Sequence, residues 1–170
     1  ATKKTNELYA QIFADVYGLK ILGFRYFNIF GSRQDPDGPY AAVIPLFVKG
    51  ILNRSPVYIN GDGEQTRDFT FVDNAVQVNI KGMLTDNTEA LKKAYNVAVG
   101  EKFSVNYLYN ACRQQLNSDW PATHRKPRAG DIRDSLADIS LAKNLLGYQT
   151  KKKFEDGLKE TIEFFKNLYS

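Results

Sequence analysis

Apolar residues recur at helical spacing near the start of the chain and predict its first helix. The helix is expected over residues 3–17, where Gly18 can end it in a left-handed conformation. The next apolar run, residues 21–27, predicts a strand. Because a helix joined to a strand by a short turn is half of a repeating α/β unit, we expect a parallel sheet. The apolar residues at this spacing are Leu8, Ile12 and Val16, and Leu19 follows just beyond Gly18.

The rest of the chain alternates in the same way, without a repeat or a low-complexity segment. A loop rich in Gly, Pro and Asp is expected over residues 28–40. Asp73 and Ser104 are the expected helix caps. The predicted helices are residues 42–53, 73–84, 104–116, a short one from Asp138 or Ser140 to Gly147, and 154–169, with Phe154, Leu158, Ile162 and Phe165 on one face. The predicted strands are residues 57–59, 67–72 and 95–99.

The composition is that of a soluble globular domain, with 170 residues of which 43% are hydrophobic and a mean hydropathy of −0.41. No apolar run approaches the roughly 20 residues of a membrane span, and no signal peptide opens the sequence, so no membrane partner is expected. A lone cysteine, Cys112, excludes an internal disulfide and favours a cytoplasmic location. We expect Cys112 to lie in or beside a helical core.

The net charge of +4 would permit binding to nucleic acid, and residues 124–128 (His-Arg-Lys-Pro-Arg) form a short basic cluster beside Trp120. A nucleic-acid surface needs a broader basic face with interleaved aromatic residues, whereas a diphosphate needs only two or three arginines. We therefore expect no nucleic-acid partner and interpret most of the cluster as a solvated loop.

The strongest local signal for chemistry is the glycine-punctuated segment at residues 60–69, Asn-Gly-Asp-Gly-Glu-Gln-Thr-Arg-Asp-Phe. Glycine frees the backbone and Arg67 brings a planar fork of donors, which together suit a phosphate-bearing ligand. Asp62 and Glu64 are interpreted as solvated carboxylates of this loop. His124 is the only histidine, no Cys/His set has metal-ligand spacing, and no serine has a recognisable base nearby, so a hydrolase or metal enzyme is not expected.

Three motifs follow one another along the chain: residues 25–31 (Arg-Tyr-Phe-Asn-Ile-Phe-Gly), residues 60–69, and residues 128–131 (Arg-Ala-Gly-Asp). Their order resembles the C-terminal half of an extended short-chain dehydrogenase/reductase of the NAD-dependent epimerase/dehydratase family, specifically the UDP-sugar 4-epimerases. Two further segments resemble the branch that acts on UDP-N-acetylglucosamine, residues 33–36 (Arg-Gln-Asp-Pro) and 40–45 (Tyr-Ala-Ala-Val-Ile-Pro).

The resemblance implies an α/β fold that forms the C-terminal part of an extended Rossmann-like structure. Residues 1–170 would be the UDP-sugar-binding portion, with residues 1–30 belonging to the Rossmann domain. The family's Gly-x-x-Gly-x-x-Gly turn for NAD does not occur in these residues. The family's Tyr-x-x-x-Lys motif would end at Lys3, one helical turn after a tyrosine that would precede Ala1. We expect a fragment that is inactive alone and does not itself hold NAD.

The resemblance also implies roles for the residues near the cofactor. Lys3 would lower the pKa of the catalytic tyrosine and hold the nicotinamide ribose, Tyr26 and Phe27 would lie beside the nicotinamide, and Asn28 would contact the sugar nucleotide near its diphosphate. Without the family, Lys3 would be a surface lysine, and Tyr26 or Phe27 could equally pack in a core.

Two arginines, Arg67 and Arg128, match the family's diphosphate clamp, which would hold UDP and leave the sugar free. Asp131 would lie near the ribose or only order Arg128. Without the family, we would expect surface ion pairs between Arg67 and Asp68 and between Arg128 and Asp131.

Three more residues match the uracil and sugar positions of the family. Tyr58 and Asn60 would flank the uracil, although Asn60 stands where galactose-type epimerases carry an aromatic residue and leaves the stacking partner open. Ala42 stands where those enzymes often carry an asparagine, and the extra room agrees with an N-acetylated sugar.

The implied activity is a UDP-N-acetylglucosamine 4-epimerase that uses NAD and passes through a 4-keto sugar. The alternatives are a UDP-galactose 4-epimerase, another UDP-sugar dehydratase or decarboxylase, and a non-catalytic UDP-sugar-binding or assembly module. Because the first helix and strand should expose apolar surface, a homodimer or other self-association is also expected.

Overall fold

The computed structural model describes residues 2–38 and 42–169, so Tyr40 and Ala41 of the second substrate-branch motif lie outside the described residues. Helices and short strands alternate along the chain, which confirms the predicted α/β class. In chain order the elements are α1 (Thr2–Tyr17), β1 (Leu22–Tyr26), β2 (Ile29–Phe30), α2 (Val43–Leu52), β3 (Val57–Asn60), β4 (Thr66–Arg67), β5 (Thr70–Phe71), α3 (Val72–Met83), a 3-10 turn (Thr88–Ala90), β6 (Lys93–Val97), β7 (Phe103–Ser104), α4 (Val105–Gln115), β8 (Ala122–Arg125), α5 (Ser140–Leu146) and α6 (Phe154–Tyr169).

The strands pair two by two, and three of the pairs are parallel. β1 pairs with β6, with Leu22 opposite Lys93 and Tyr26 opposite Val97. β2 pairs with β5 and β3 with β8 in the same parallel sense, whereas β4 and β7 are antiparallel. Because parallel strands end at the same edge, the loops after β1, β3 and β8 are the places where ligand-binding side chains are expected to gather.

The predicted helix ends agree well with the structure. Gly18 follows α1 with a φ of 66°, and Gly147 ends α5 with a φ of 60°. Ser104 is the N-cap of α4, and its hydroxyl accepts a hydrogen bond from the Tyr107 N–H at 3.1 Å. The predicted face of α6 is buried, including Phe154, which has no exposed surface.

The structure corrects the predicted cap of α3. Asp73 was expected to cap this helix, but α3 begins at Val72 and Phe71 occupies the N-cap position without a side-chain hydrogen bond. Phe71 is fixed in the core with 1% exposure, so the chain turns into the helix earlier than the polar residue suggests. Asp73 lies in the first turn, where its charge favours the helix dipole, 3.4 Å from the Lys152 ammonium.

Two loop predictions were also wrong in part. The cluster at residues 124–128 was interpreted as a solvated loop, but His124 and Arg125 belong to β8 because their backbone pairs with the edge of β3. β2 interrupts the predicted loop at residues 28–40 for the same reason, since it pairs with β5. Neither segment alternates apolar and polar residues over a length that identifies a strand.

Two hydrophobic clusters hold the elements together. The larger one packs α2, α4 and α6 on β3 and β5, and the second packs α3 and α5 against the β1–β6 pair. Cys112 of α4 is fully buried in the larger cluster, as predicted, and burial raises the pKa of its thiol to about 12. Burial disfavours the thiolate form and leaves the thiol no exposed surface, as in a core cysteine.

Helix α1 leaves its apolar residues uncovered. Only Ala14 is buried, while Leu8, Ile12 and Val16 are 56%, 53% and 66% exposed. Ion pairs attach the helix to the β1–β6 pair, with Glu7 accepting from Arg25 at 2.6 Å. The expected apolar surface is therefore confirmed for the helix, whereas Ile21 and Phe24 at the strand are half-buried. Over the described residues, no helix is long and apolar enough to cross a membrane.

Candidate functional site

Two adjoining clefts bring together six of the ten predicted site residues. The first has a volume of about 170 Å³ and lies between β3, α2 and the loop after β1. The second has a volume of about 390 Å³ and lies between the glycine-rich loop and the loop after β8. Both clefts share Asn60, Gln65 and Asp131. The predicted residues in the first cleft are Asn28, Tyr58, Asn60, Arg67 and Asp131, and the second adds Arg128.

Asn28 connects the end of β1 to the core of the site. Its φ of 37° turns the chain sharply after the strand. The side-chain amide donates to the Asp68 carbonyl oxygen at 3.0 Å, and the Asn28 carbonyl accepts from the Thr70 N–H at 3.2 Å. The exposed Asn28 side chain is therefore held at the first cleft by its hydrogen bond to the backbone of Asp68, which lies 40 residues further along the chain.

Asp68 is a buried carboxylate that sequence reasoning did not identify as important. Its two oxygens accept from the N–H groups of Val99 and Gly100, each at 3.0 Å. Burial raises the pKa of Asp68, while these N–H bonds act in the opposite direction. Because the Val99 N–H donates to Asp68, Val99 does not continue the strand. β6 therefore ends at Val97, whereas the predicted strand ran to residue 99.

Arg67 is fixed by three acceptors. Its guanidinium donates to the Thr66 carbonyl at 2.7 Å, to the Ile132 carbonyl at 2.6 Å and to the Asp131 carboxylate. The surface pair expected between Arg67 and Asp68 is therefore wrong, because Asp68 is engaged elsewhere. Carbonyl and carboxylate acceptors together hold the guanidinium plane in one orientation.

Arg128 differs from Arg67 in that it is exposed and its side chain has no hydrogen bond or ion pair within residues 2–38 and 42–169. The ion pair expected between Arg128 and Asp131 does not form, because the Asp131 carboxylate pairs with Arg67. The two residues are joined through the backbone instead, where the Asp131 N–H donates to the Arg128 carbonyl at 3.2 Å. The site thus combines one fixed arginine and one free arginine on either side of Asp131.

The glycine-rich loop is shaped by internal bonds. The Gly61 N–H donates to the Arg125 carbonyl, and the Thr66 N–H donates to the Arg133 carbonyl, both at 2.8 Å. The Gly63 carbonyl accepts from the Asn106 N–H at 3.0 Å, at the start of α4. Glycine therefore serves to dock the loop on its neighbours, and the arginines are the groups left to bind an anion.

An ion pair closes the outer wall of the second cleft. Arg133 donates to Asp62 at 2.7 Å, and this hydrogen bond lowers the pKa of Asp62 to about 2. Glu64, the other acid of the loop, accepts from the Asn106 side-chain amide at 2.6 Å. Asp62 and Glu64 are exposed, as predicted for solvated carboxylates, but each also accepts a hydrogen bond that shapes the loop.

An aromatic ring and a guanidinium form the wall between the clefts. Tyr58 lies on the outer face of β3 with 44% exposure, and the guanidinium of Arg125 stacks over its ring at 4.1 Å from the centroid. Asn60 follows on the same face, and its carbonyl accepts from the Gln65 side-chain amide at 2.9 Å.

The remaining four predicted residues line neither cleft. Lys3 is exposed in the first turn of α1, and Ala42 is the N-cap of α2 with an extended backbone, beside Val43 of the first cleft. Tyr26 is 48% exposed, and its hydroxyl bonds to the Asn79 side chain at 3.0 Å. Phe27 packs against the second hydrophobic cluster, in agreement with the core interpretation for this residue.

Sequence reasoning missed several residues that shape the site: Gln65, Asp68, Asn106, Arg125 and Arg133. Gln65 and Asp68 lie inside the glycine-rich segment, where they could have been noticed. The other three act through contacts across 42 to 71 residues of sequence, for which no local pattern exists. The described residues hold no group of three or more His, Cys, Asp or Glu side chains that could bind a metal ion.

The fold and the site together define the C-terminal part of an extended short-chain dehydrogenase/reductase. The chain belongs to the NAD dependent epimerase/dehydratase family, whose model matches residues 1–98. A putative UDP-glucose 4-epimerase of Methanocaldococcus jannaschii is 32% identical over 167 residues, which cover 98% of this chain and 52% of that protein. The chain thus spans about half the length of the curated relatives it matches.

Two solved structures are similar over nearly the whole chain. A UDP-glucose 4-epimerase from Thermotoga maritima with UDP-glucose is 35% identical with a TM-score of 0.92, over 98% of this chain and 52% of that one. A UDP-N-acetylglucosamine 4-epimerase from Methanobrevibacter ruminantium in complex with UDP-N-acetylmuramic acid is 40% identical with a TM-score of 0.90, over 97% and 52%.

Proposed function

We propose that these residues form the UDP-sugar-binding part of an NAD-dependent UDP-N-acetylglucosamine 4-epimerase. The observation that carries the proposal is the convergence of Asn28, Arg67 and Asp131 on one cleft, with Arg128 on the adjoining cleft. Three separate segments supply these side chains, because Arg128 and Asp131 belong to the same motif. The 40% identical relative is named for the same sugar nucleotide, which supports the choice of sugar.

In this proposal the two arginines hold the diphosphate in different ways. Arg67 presents a guanidinium already oriented by Thr66, Ile132 and Asp131, so little side-chain freedom is lost on binding. Arg128 is exposed and free to move onto the ligand. Asp131, between them, faces the ribose, and Tyr58 and Asn60 flank the uracil. Firm contacts to UDP leave the sugar free to turn.

The cofactor end of the site would be formed by Lys3, Tyr26 and Phe27. Tyr26 is half exposed at the carboxyl end of a parallel strand, the edge at which such folds hold nucleotides, which fits a nicotinamide. NAD, when bound there, would supply the acceptor and donor for the hydride at C4 of the sugar. Lys3 would lower the pKa of a neighbouring tyrosine for proton transfer at the 4-hydroxyl, and Asn28 would contact the sugar nucleotide near its diphosphate.

The proposal also assigns segments of the chain to domains. We assign residues 1–30 to the Rossmann domain, and the parallel β1–β6 pair adds Lys93–Val97 to the same sheet.

The uncovered apolar face of α1 supports self-association, with a homodimer as the simplest form. The 170 residues produced alone would bind UDP without turnover, because they contain no glycine-rich NAD turn. The reducing cytoplasm is the proposed location.

The test is product analysis with the natural protein that contains these residues. UDP-N-acetylglucosamine and NAD are incubated with the protein, and the C4 epimer is separated by chromatography. Arg67→Ala and Arg128→Ala should each weaken UDP binding by about 2–5 kcal/mol in calorimetric titration if the charges are desolvated in the complex. Lys126→Ala is the matched control, since it removes one positive charge nearby but lines neither cleft. Unchanged affinity in both arginine variants would refute the clamp.

A second candidate is a UDP-glucose/UDP-galactose 4-epimerase, favoured by the TM-score of 0.92 to the Thermotoga maritima enzyme. Because both epimerases would share the arginine pair, only the sugar separates them. The ratio of kcat/KM for the N-acetylated and the plain substrate decides between the two. A UDP-sugar dehydratase or decarboxylase would instead release water or carbon dioxide, and a binding module would give no product.

A further inference from the structure

The planar surfaces in the two clefts are few. Phe47 and Phe69 line the first cleft but are only 2% and 3% exposed, so neither can present a ring face to a ligand. Tyr58 is the exposed ring in this wall, at 44%. A nucleobase is held mainly by stacking on such a plane, at about 1–3 kcal/mol per base.

The strand pairing places Arg125 on this ring. In the parallel register Tyr58 lies opposite Thr123 and Asn60 opposite Arg125, so Tyr58 and Arg125 are diagonal neighbours on one outer face. The guanidinium lies 4.1 Å from the ring centroid, well inside the range of a cation–π contact. This contact restricts the ring to the orientation in which it borders the first cleft.

The charge of Arg125 is not neutralised by the protein. Within the described ranges its guanidinium has no carboxylate partner, unlike Arg133, which pairs with Asp62, and Arg67, which pairs with Asp131. The backbone of Arg125 is itself fixed, because its carbonyl accepts from the Gly61 N–H at 2.8 Å. A cation that is fixed on a strand and stacked over the Tyr58 ring is well placed to hold that ring in one orientation.

We propose that Arg125 is a positioning residue for the nucleobase: it holds the Tyr58 ring as the platform on which the uracil of UDP stacks. The proposal deepens the proposed function and rests on it, since it names what replaces the aromatic residue at position 60. Arg125 acts through Tyr58, while the diphosphate is held by Arg67 and Arg128. The selection of a uridine nucleotide over a bare diphosphate therefore depends on Arg125.

The experiment compares two ligands, UDP and inorganic pyrophosphate, by calorimetry and by saturation-transfer NMR on the 170-residue chain. Arg125→Ala should weaken UDP binding about 3- to 10-fold. It should also reduce saturation of the uracil protons relative to the ribose protons. Pyrophosphate binding should change no more than in Lys126→Ala, which removes the neighbouring charge. Arg125→Lys keeps the charge without the plane and should resemble Arg125→Ala more than the wild type.

A double-mutant cycle tests whether Arg125 acts through the ring. Arg125→Ala in a Tyr58→Leu background should have no further effect on UDP affinity. Equal losses for UDP and pyrophosphate in Arg125→Ala, or full recovery in Arg125→Lys, would show a charge effect alone and overturn the proposal. If the wild type binds UDP no more tightly than pyrophosphate, the uracil platform is overturned, whereas the diphosphate clamp of Arg67 and Arg128 is not. Binding of neither ligand would overturn both this proposal and the proposed function.

Discussion

Gly63 offers the sharpest test of how the glycine-rich loop is built. Its φ is 77°, and a Cβ at this position would stand 2.0 Å from the Asn106 side-chain oxygen. Gly130 has the same φ of 77° but no heavy atom within 4 Å of its Cβ position. The two glycines therefore share the backbone strain of a substitution and differ only in packing, which makes Gly130→Ala the matched control for Gly63→Ala.

The expected magnitudes follow from these contacts. An alanine in the left-handed region costs about 1–2 kcal/mol at either glycine. At Gly63 the Asn106 side chain must also move, and its bonds to the Asp62 carbonyl at 2.8 Å and to Glu64 at 2.6 Å are lost. These bonds contribute about 0.5–1.5 kcal/mol each. We expect Gly63→Ala to destabilise the chain by about 2–5 kcal/mol and Gly130→Ala by about 1–2 kcal/mol.

Urea unfolding measures both losses as shifts of the midpoint at constant slope. The cycle is completed in an Asn106→Ala background, where the clash is absent and Gly63→Ala should cost no more than Gly130→Ala. Equal effects of the two glycine variants in the parent chain would refute the close packing of the loop on α4. So would a Gly63→Ala effect that persists without the Asn106 side chain.

Three further outcomes are expected. Ala42→Asn should stabilise the protein by about 1 kcal/mol in urea unfolding, because the N-cap of α2 lacks a side-chain hydrogen bond. The same change should lower kcat/KM for UDP-N-acetylglucosamine in the natural protein, because it fills the room assigned to the N-acetyl group. A gain in both stability and kcat/KM would contradict this role of position 42. Asp62 has a pKa lowered to about 2 by its bond to Arg133, so it stabilises the fold above the ordinary pKa near 4 and loses this effect on acidification. The difference in urea midpoint between wild type and Asp62→Asn should therefore narrow as the pH falls from about 4 toward 2, and a constant difference would count against the pair. Ile12→Glu should reduce concentration-dependent association in light scattering, whereas Met83→Glu, at a more exposed site of 78%, should not.

Much of the local structure could be predicted from the sequence because it depends on near neighbours. The spacing of apolar residues predicted α1 and α6, and Gly18, Ser104 and Gly147 marked helix ends through their own backbone or hydroxyl groups. The order of three motifs was enough to predict the family, since each motif is a continuous segment.

The pairings at the site depended on the tertiary structure. Nothing near Arg67 in the sequence shows that its partner is Asp131 and not Asp68, because the choice follows from burial of Asp68 beneath the Val99 and Gly100 amides. Likewise β8 is a strand only because β3 offers it an edge, and this pairing places Arg125 on Tyr58. Short-range patterns determine which helices form, whereas side chains far apart in sequence compete for partners only after the chain has folded.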